Sequence, residues 1–293
     1  MNTVISGLGL LESPRWHDGR FWVADWTAGL IRAIDPSGHI EVVVEHQSLP
    51  MCFDFLPDLP SHQALLLTSS AQRAVLRRAD GTLARYADLS SLSPHGPNDI
   101  VIDGRGNTYV NNVNFDFAAG PPAGAPAPGF VALVTADGRA RVVADDLAFP
   151  NGMAVTPDNA TLIVAESYRH RLTAFDIGAD GSLSNRRVWA AVGEHSPDGI
   201  CLDSDGAAWY ADVGGRCCVR VAEGGRVMDR VQLDRGAFAC MLGGDDGRTL
   251  FVVAAHWPGP QNLMHHSEWD GSVLEVRAPA PGAGWPGSGS RAG

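Results

Sequence analysis

What the sequence lacks narrows the possibilities first. No run of apolar residues approaches the roughly 20 needed to cross a bilayer as a helix, so no membrane partner is expected. A basic face is missing as well. Lys and Arg total 22 against 33 Asp and Glu, a net charge of −11, which argues against nucleic acid as the main partner because that binding rests on neutralising phosphates. The five cysteines (Cys52, Cys201, Cys217, Cys218 and Cys240) show no C-x-x-C spacing. Neither a disulfide framework nor a thiolate zinc site is indicated, and they read as buried thiols in a reducing compartment. Vicinal Cys217 and Cys218 fall in a predicted strand and should point to opposite faces. No basic segment followed by an apolar one opens the chain, so no signal peptide is expected and a cytoplasmic location is the default. Gly-x-Ser-x-Gly does not occur, which weakens a serine-hydrolase reading.

What is present is turn chemistry and apolar residues in short alternation. The 293 residues contain 34 Gly and 19 Pro and are 45% hydrophobic, enough for a substantial core divided among many short strands. One unit recurs. It opens Glu12-Ser13-Pro14-Arg15-Trp16, passes an Asp18-Gly19 turn into the strand from Arg20 to Asp25, continues through Leu30 to Asp35, and ends with Ile40 to Val44 after a Pro36-Ser37-Gly38 turn. The third unit repeats this from Asn98, the fourth from Asn151 and the fifth from Asp198, with weaker copies at Met51 to Tyr86 and Ala239 to Val276. Starts near positions 14, 50, 97, 150, 197 and 239 give steps of 36 to 53 residues. Four strands per unit at such a period is the signature of a propeller blade. The expected fold is all-β: a six-bladed β-propeller with four-stranded antiparallel blades around a central metal-binding channel. The segment from Val4 to Leu11 is expected to supply the outer strand of the last blade and close the ring. Residues 1–278 form the single domain in this reading. Ala118 to Pro128 is read as an exposed Pro/Ala/Gly loop, and Pro279 to Gly293 as a flexible tail outside the fold.

In a propeller the innermost strand of every blade lines the axis, so residues at the start of that strand converge from distant parts of the chain. Here they are Glu12, Asn98, Asn151 and Asp198, in the phrases Pro97-Asn98-Asp99, Phe149-Pro150-Asn151-Gly152 and Pro197-Asp198-Gly199. Two carboxylates and two amides make an all-oxygen set suited to a hard divalent cation, Ca²⁺ before Zn²⁺ or Mn²⁺. Asn and Asp before Gly are also ordinary turn formers, and Asp99 reads equally well as a turn residue capping its own backbone. Repetition at one blade position is what favours a site. Asn111, Asn112, Asn114 and Phe115 follow the third unit's inner strand, with Tyr168, His256 and Trp257 at related positions, and all are candidates to line the channel mouth.

These phrases, together with Ala165-Glu166-Ser167-Tyr168 and Ala239-Cys240-Met241-Leu242-Gly243-Gly244, resemble the family of gluconolactonase, senescence marker protein (regucalcin) and luciferin-regenerating enzyme, over roughly residues 10 to 255. The resemblance implies a six-bladed propeller with a divalent cation in its channel, held by Glu12, Asn151 and Asp198. Asn98 matches a position that ligates the metal or contacts substrate. It further implies a metal-dependent hydrolase of small lactones or esters, with Asp198 activating water or acting as nucleophile, in a monomer or small homo-oligomer. Where many such lactonases carry an Arg two residues before the Asn of Pro-Asn-Asp, this chain has Gly96, preceded by His95, which could replace that contact in part. Organophosphate hydrolysis, as in diisopropyl fluorophosphatase, and a non-catalytic Ca²⁺-binding propeller are the alternatives.

Overall fold

The computed structural model describes residues 1–116, 119, 127–257 and 269–284. Most of the Ala118 to Pro128 loop therefore lies outside the described residues. Among those described, 24 strands form six antiparallel sheets of four. The chain opens with β1 (Asn2–Leu8) and then builds blade one from β2 (Leu11–His17), β3 (Arg20–Asp25), β4 (Leu30–Ile34) and β5 (Ile40–Glu45). Blade two comprises β6 (Phe53–Phe55), β7 (Leu65–Ser69), β8 (Ala74–Ala79) and β9 (Thr82–Asp88). Blade three follows with β10 (Ile100–Ile102), β11 (Thr108–Asn112), β12 (Gly129–Val134) and β13 (Ala140–Leu147). Blade four is β14 (Pro150–Val155), β15 (Thr161–Glu166), β16 (Arg171–Ile177) and β17 (Leu183–Ala191). Blade five is β18 (Ile200–Leu202), β19 (Ala208–Asp212), β20 (Cys217–Val221) and β21 (Val227–Gln232). Blade six has β22 (Gly236–Gly243), β23 (Thr249–Ala255) and β24 (Gly271–Arg277), and β1 pairs with β24 to complete it. The expected closure by the N-terminal segment is present, and it joins the two ends of the fold.

The turns explain why the units are so evenly cut. At the far end of the blades a carboxylate folds back on its own backbone. Asp103 Oδ1 accepts from the Arg105 and Asn107 N–H groups, and Asp203 Oδ1 from those of Asp205 and Ala207. Gly106 and Gly206 take the positive φ that each turn requires. The inner strands of the blades are mostly buried and the outer strands largely exposed, the pattern expected when blade faces pack radially. Cys217 and Cys218 enter different core clusters, so they do point to opposite faces, and all five cysteines are free and buried.

Residues 279–284, assigned to a tail by composition, lie against the propeller instead. Pro281 accepts from the Ser204 N–H, Ala283 donates to the Leu202 carbonyl, and Gly282 bridges Asp203. The boundary at 278 falls too early because Pro and Ala there pack on blades five and six, with Ala280 only 2% exposed. Residues 285–293 lie outside the described residues. No described helix is long and apolar enough to cross a membrane.

Candidate active site in the axial channel

Antiparallel order puts the starts of the inner strands, the ends of the second strands and the starts of the third strands at one end of the propeller. Glu12, Asn98 and Asn151 line one small chamber there, with Asp99, Cys52 and Cys240. Asp198 joins them: its carboxylate accepts a hydrogen bond from the Asn151 side chain and its charge acts on Glu12. Four residues spread over some 190 positions of chain are thus brought together.

Local strand irregularities aim them. The pairing of β2 with β3 shifts register between Glu12 and Arg15, and that of β14 with β15 shifts between Pro150 and Met153. Such bulges re-aim side chains at the rim of a sheet. Ser13 and Phe149 carry the positive φ values, 53° and 55°, that accompany these shifts. Asn98 donates from Nδ2 to the Pro150 carbonyl at 3.2 Å, and Asn151 donates from Nδ2 to Ser167 Oγ at 3.3 Å. Both amides use their nitrogen toward the protein, which leaves their oxygens as the atoms to face a cation.

The electrostatics point the same way. Burial, reinforced by Asp198, drives the Glu12 carboxyl well above its ordinary pKa; burial, reinforced by Asp99, does the same to Asp198. Asp99 is also raised by burial, although Arg15 opposes it. Arg15 is the nearby cation, but it is tied down: Nε meets Asp54 Oδ1 at 3.3 Å, and Nη2 donates to the Ile100 carbonyl at 2.9 Å. Acid outweighs base in this chamber, and the surplus is what a divalent cation would neutralise.

The remaining sequence candidates divide. Asn111 is fully buried, with Nδ2 on the Asn151 carbonyl at 2.6 Å and Oδ1 accepting from the Asp99 N–H, so it ties the Asn98-Asp99 and Asn151 segments together. Asn112 donates to the His95 carbonyl and accepts from the Asn114 N–H; Asn114 donates to the Pro128 carbonyl and accepts from Ser93 Oγ. The His256 ring pairs with Asp270 Oδ2 at 2.5 Å. Phe115 packs on Phe149, which in turn packs on Tyr168 at the rim. Gly96 touches blade two so closely that a Cβ there would sit 1.9 Å from Ser70 Oγ and 2.4 Å from Ser70 Cα. No side chain fits at that position without moving the Ser70 backbone.

Sequence reasoning did not single out Arg15, Asp54 or Cys52 for the site, since each lies inside a strand pattern that reads as core. It also passed over a second group at the same end of blade five. His195 Nδ1 lies 2.5 Å from Asp212 Oδ2, and Cys217 completes a set of donors within 4.8 Å of one another. Arg230 Nη2 lies 2.5 Å from the other ring nitrogen. A guanidinium can only donate, so Nε2 is the acceptor and Nδ1 carries its proton toward Asp212. Both histidine nitrogens are committed, and the oxygen-rich chamber on the axis is the better seat for a hard cation.

A family model described as the SMP-30/gluconolactonase/LRE-like region matches residues 10–256. The chain belongs to that family. Among curated relatives, a 6-deoxy-6-sulfogluconolactonase of Pseudomonas putida is 30% identical over 52% of this chain and 54% of its own. An L-arabinolactonase of Azospirillum brasilense is 27% identical over 70% of this chain and 66% of its own. The matches thus span between about half and two thirds of those relatives' length. A solved structure of luciferin-regenerating enzyme superposes with a TM-score of 0.80 at 20% identity, covering 96% of each chain. That likeness shows the shared fold.

Proposed function

We propose that this family member is a divalent-cation-dependent lactonase, with Glu12, Asn98, Asn151 and Asp198 as the cation's protein ligands and Ca²⁺ as the fitting ion. The observation that carries the reading is the convergence of four oxygen-bearing side chains from four blades at one chamber, with two acids whose charge the one nearby cation, Arg15, leaves in surplus because it is paired with Asp54. The names of the relatives, lactonases of sugar acids, supply the reaction class. When bound, the cation supplies Lewis-acid polarisation of the lactone carbonyl and stabilises the developing negative charge.

The chain's own residues do the rest. Glu12 and Asp198 hold the charge that balances the ion, and the amide oxygens of Asn98 and Asn151 complete the oxygen set. Asp198 takes a proton from the water that adds to the carbonyl carbon. The ring C–O bond then breaks, and the leaving oxygen receives that proton to give the open hydroxy acid. Asn111 keeps the Asn98 and Asn151 segments at fixed separation, so the ligand geometry is set before substrate arrives. The test is hydrolysis of a lactone panel by protein loaded with Ca²⁺, Zn²⁺ or Mn²⁺ and by chelated protein. Turnover that disappears with chelator and returns with one of the ions is expected. Turnover indifferent to chelator, or of phosphofluoridates but no lactone, would overturn the reading.

A further inference from the structure

Building on the lactonase reading, we propose that the channel mouth seats the lactone's substituent against aromatic walls, and that its preferred substrates carry an aryl or similarly flat apolar group rather than several hydroxyls. The first wall grows from the residue next to Pro150-Asn151. Phe149 places its ring 5.7 Å from that of Phe115 and 4.7 Å from that of Tyr168. The second stands on blade six. The Gly199 N–H donates to the Phe238 carbonyl as the Gly152 N–H donates to that of Asp198, so Phe238 occupies the next place in the ring after Asp198. Its ring lies 6.0 Å from Trp257 and 5.8 Å from Trp269, and those two are 5.8 Å apart. One wall sits where blades three and four meet and the other on blade six, nearly opposite each other across the six-membered ring.

In each wall a buried ring backs an open one. Phe115 and Phe238 are 7% and 5% exposed, whereas Tyr168 and Trp257 are 46% and 43% exposed. Scattered surface aromatics need no explanation. Two pre-packed clusters at the end of the propeller that carries the acidic chamber do, because a ring or alkyl group resting against either one loses water to a surface that is already ordered. The polar side chains around the mouth offer little to a polyol. The amides of Asn111, Asn112 and Asn114 each donate and accept within the protein, and the His256 ring is held by Asp270.

The test compares dihydrocoumarin and γ-phenyl-butyrolactone with gluconolactone on the cation-loaded protein. Binding of dihydroquinolinone, the non-hydrolysable lactam of dihydrocoumarin, is measured alongside by calorimetry. Higher kcat/KM for the aryl lactones is expected. Trp257→Ala and Tyr168→Ala should each lower the aryl-to-polyol ratio roughly ten-fold, mainly through KM, and weaken lactam binding to a similar degree. Gluconolactone turnover equal to or above that of the aryl lactones, or a ratio unmoved by both substitutions, would overturn the proposal. Lactam binding that depends on both aromatics while no lactone is hydrolysed would uphold the walls and overturn the lactonase reading instead. Sugar-lactone hydrolysis without lactam binding would do the reverse.

Discussion

Three acids withdrawn wholly or partly from solvent, Glu12, Asp198 and Glu166, meet opposite fates that depend on what surrounds them. Glu166 is fully buried, and burial alone would raise its pKa. Hydrogen bonds from Thr173, the Ala148 N–H and Arg171 hold it below the ordinary glutamate value instead. Arg169 and Arg186 add charge at 3.1 and 3.6 Å. For Glu12 and Asp198, burial and neighbouring acids outweigh the hydrogen bonds they accept, and both are driven upward. The consequence for Glu166 has a definite sign. A depressed folded-state pKa contributes stability above the unfolded value, about 4.3, and loses it as pH falls through the folded value. Glu166→Gln should therefore cost roughly 2 kcal/mol at pH 7, and the gap to the parent protein should narrow as the medium is acidified below about pH 4. Urea denaturation at a series of pH values measures it, and a gap independent of pH would contradict the assignment. Arg169 and Arg171 follow Glu166 within five residues, but Arg186 arrives from the next strand, a contact that strand register and not local spacing decides.

The inner strands show how an element can be read correctly for the wrong local reason. Asn151-Gly152 and Asp198-Gly199 look like turn dipeptides, yet Asn151 and Gly152 lie inside β14 and neither glycine has a positive φ. Both glycines are required by close approach. A Cβ on Gly152 would stand 2.6 Å from the Asp198 carbonyl oxygen and from the Ile200 nitrogen; one on Gly199 would stand 2.2 Å from Ala239 Cβ. In blade four the positive φ falls two residues before Asn151, at Phe149. Repetition made the convergence of these positions legible, because the phrase recurs at one blade position. The bulges that turn those side chains inward were not legible, since they depend on how neighbouring strands register. Gly152→Ala should force blades four and five apart where Asp198 is held. Overpacking of this kind costs about 1–3 kcal/mol. A fall in thermal midpoint together with weakened cation binding is expected, and an unchanged midpoint would show that the contact relaxes freely.

For the molecule as a whole, one segment from the start of the chain closes the ring. β1 pairs with β24 through Asn2, Thr3, Ile5 and Leu8, so blade six is built from both ends of the fold. Four-strand units, their order and this closure were readable from the period and the leftover apolar segment. The packing of residues 281–284 beneath the channel was not, because Pro, Gly and Ala in that stretch carry no strand pattern. Those residues help line a cavity of about 370 Å³ at the end of the axis away from the acids, together with Arg15, Trp16 and Met241. Deleting residues 1–8 should leave β24 as a bare edge, with a lower thermal midpoint and concentration-dependent association. Differential scanning calorimetry with light scattering reads both, and a truncated protein that stays monomeric at the parent midpoint would show that β1 is dispensable.

All of this converges on whether the axial acids hold a catalytic cation. The most direct measurement is calorimetric titration of Ca²⁺ into the chelator-stripped protein and its Glu12→Gln and Asp198→Asn variants, with lactone turnover followed in the same samples. A single site is predicted in the parent protein. Glu12→Gln should weaken it at least about 100-fold, beyond the usual cost of losing an outer-shell partner, and both substitutions should abolish turnover. Cation binding and turnover that survive both substitutions would place the chemistry elsewhere in the molecule.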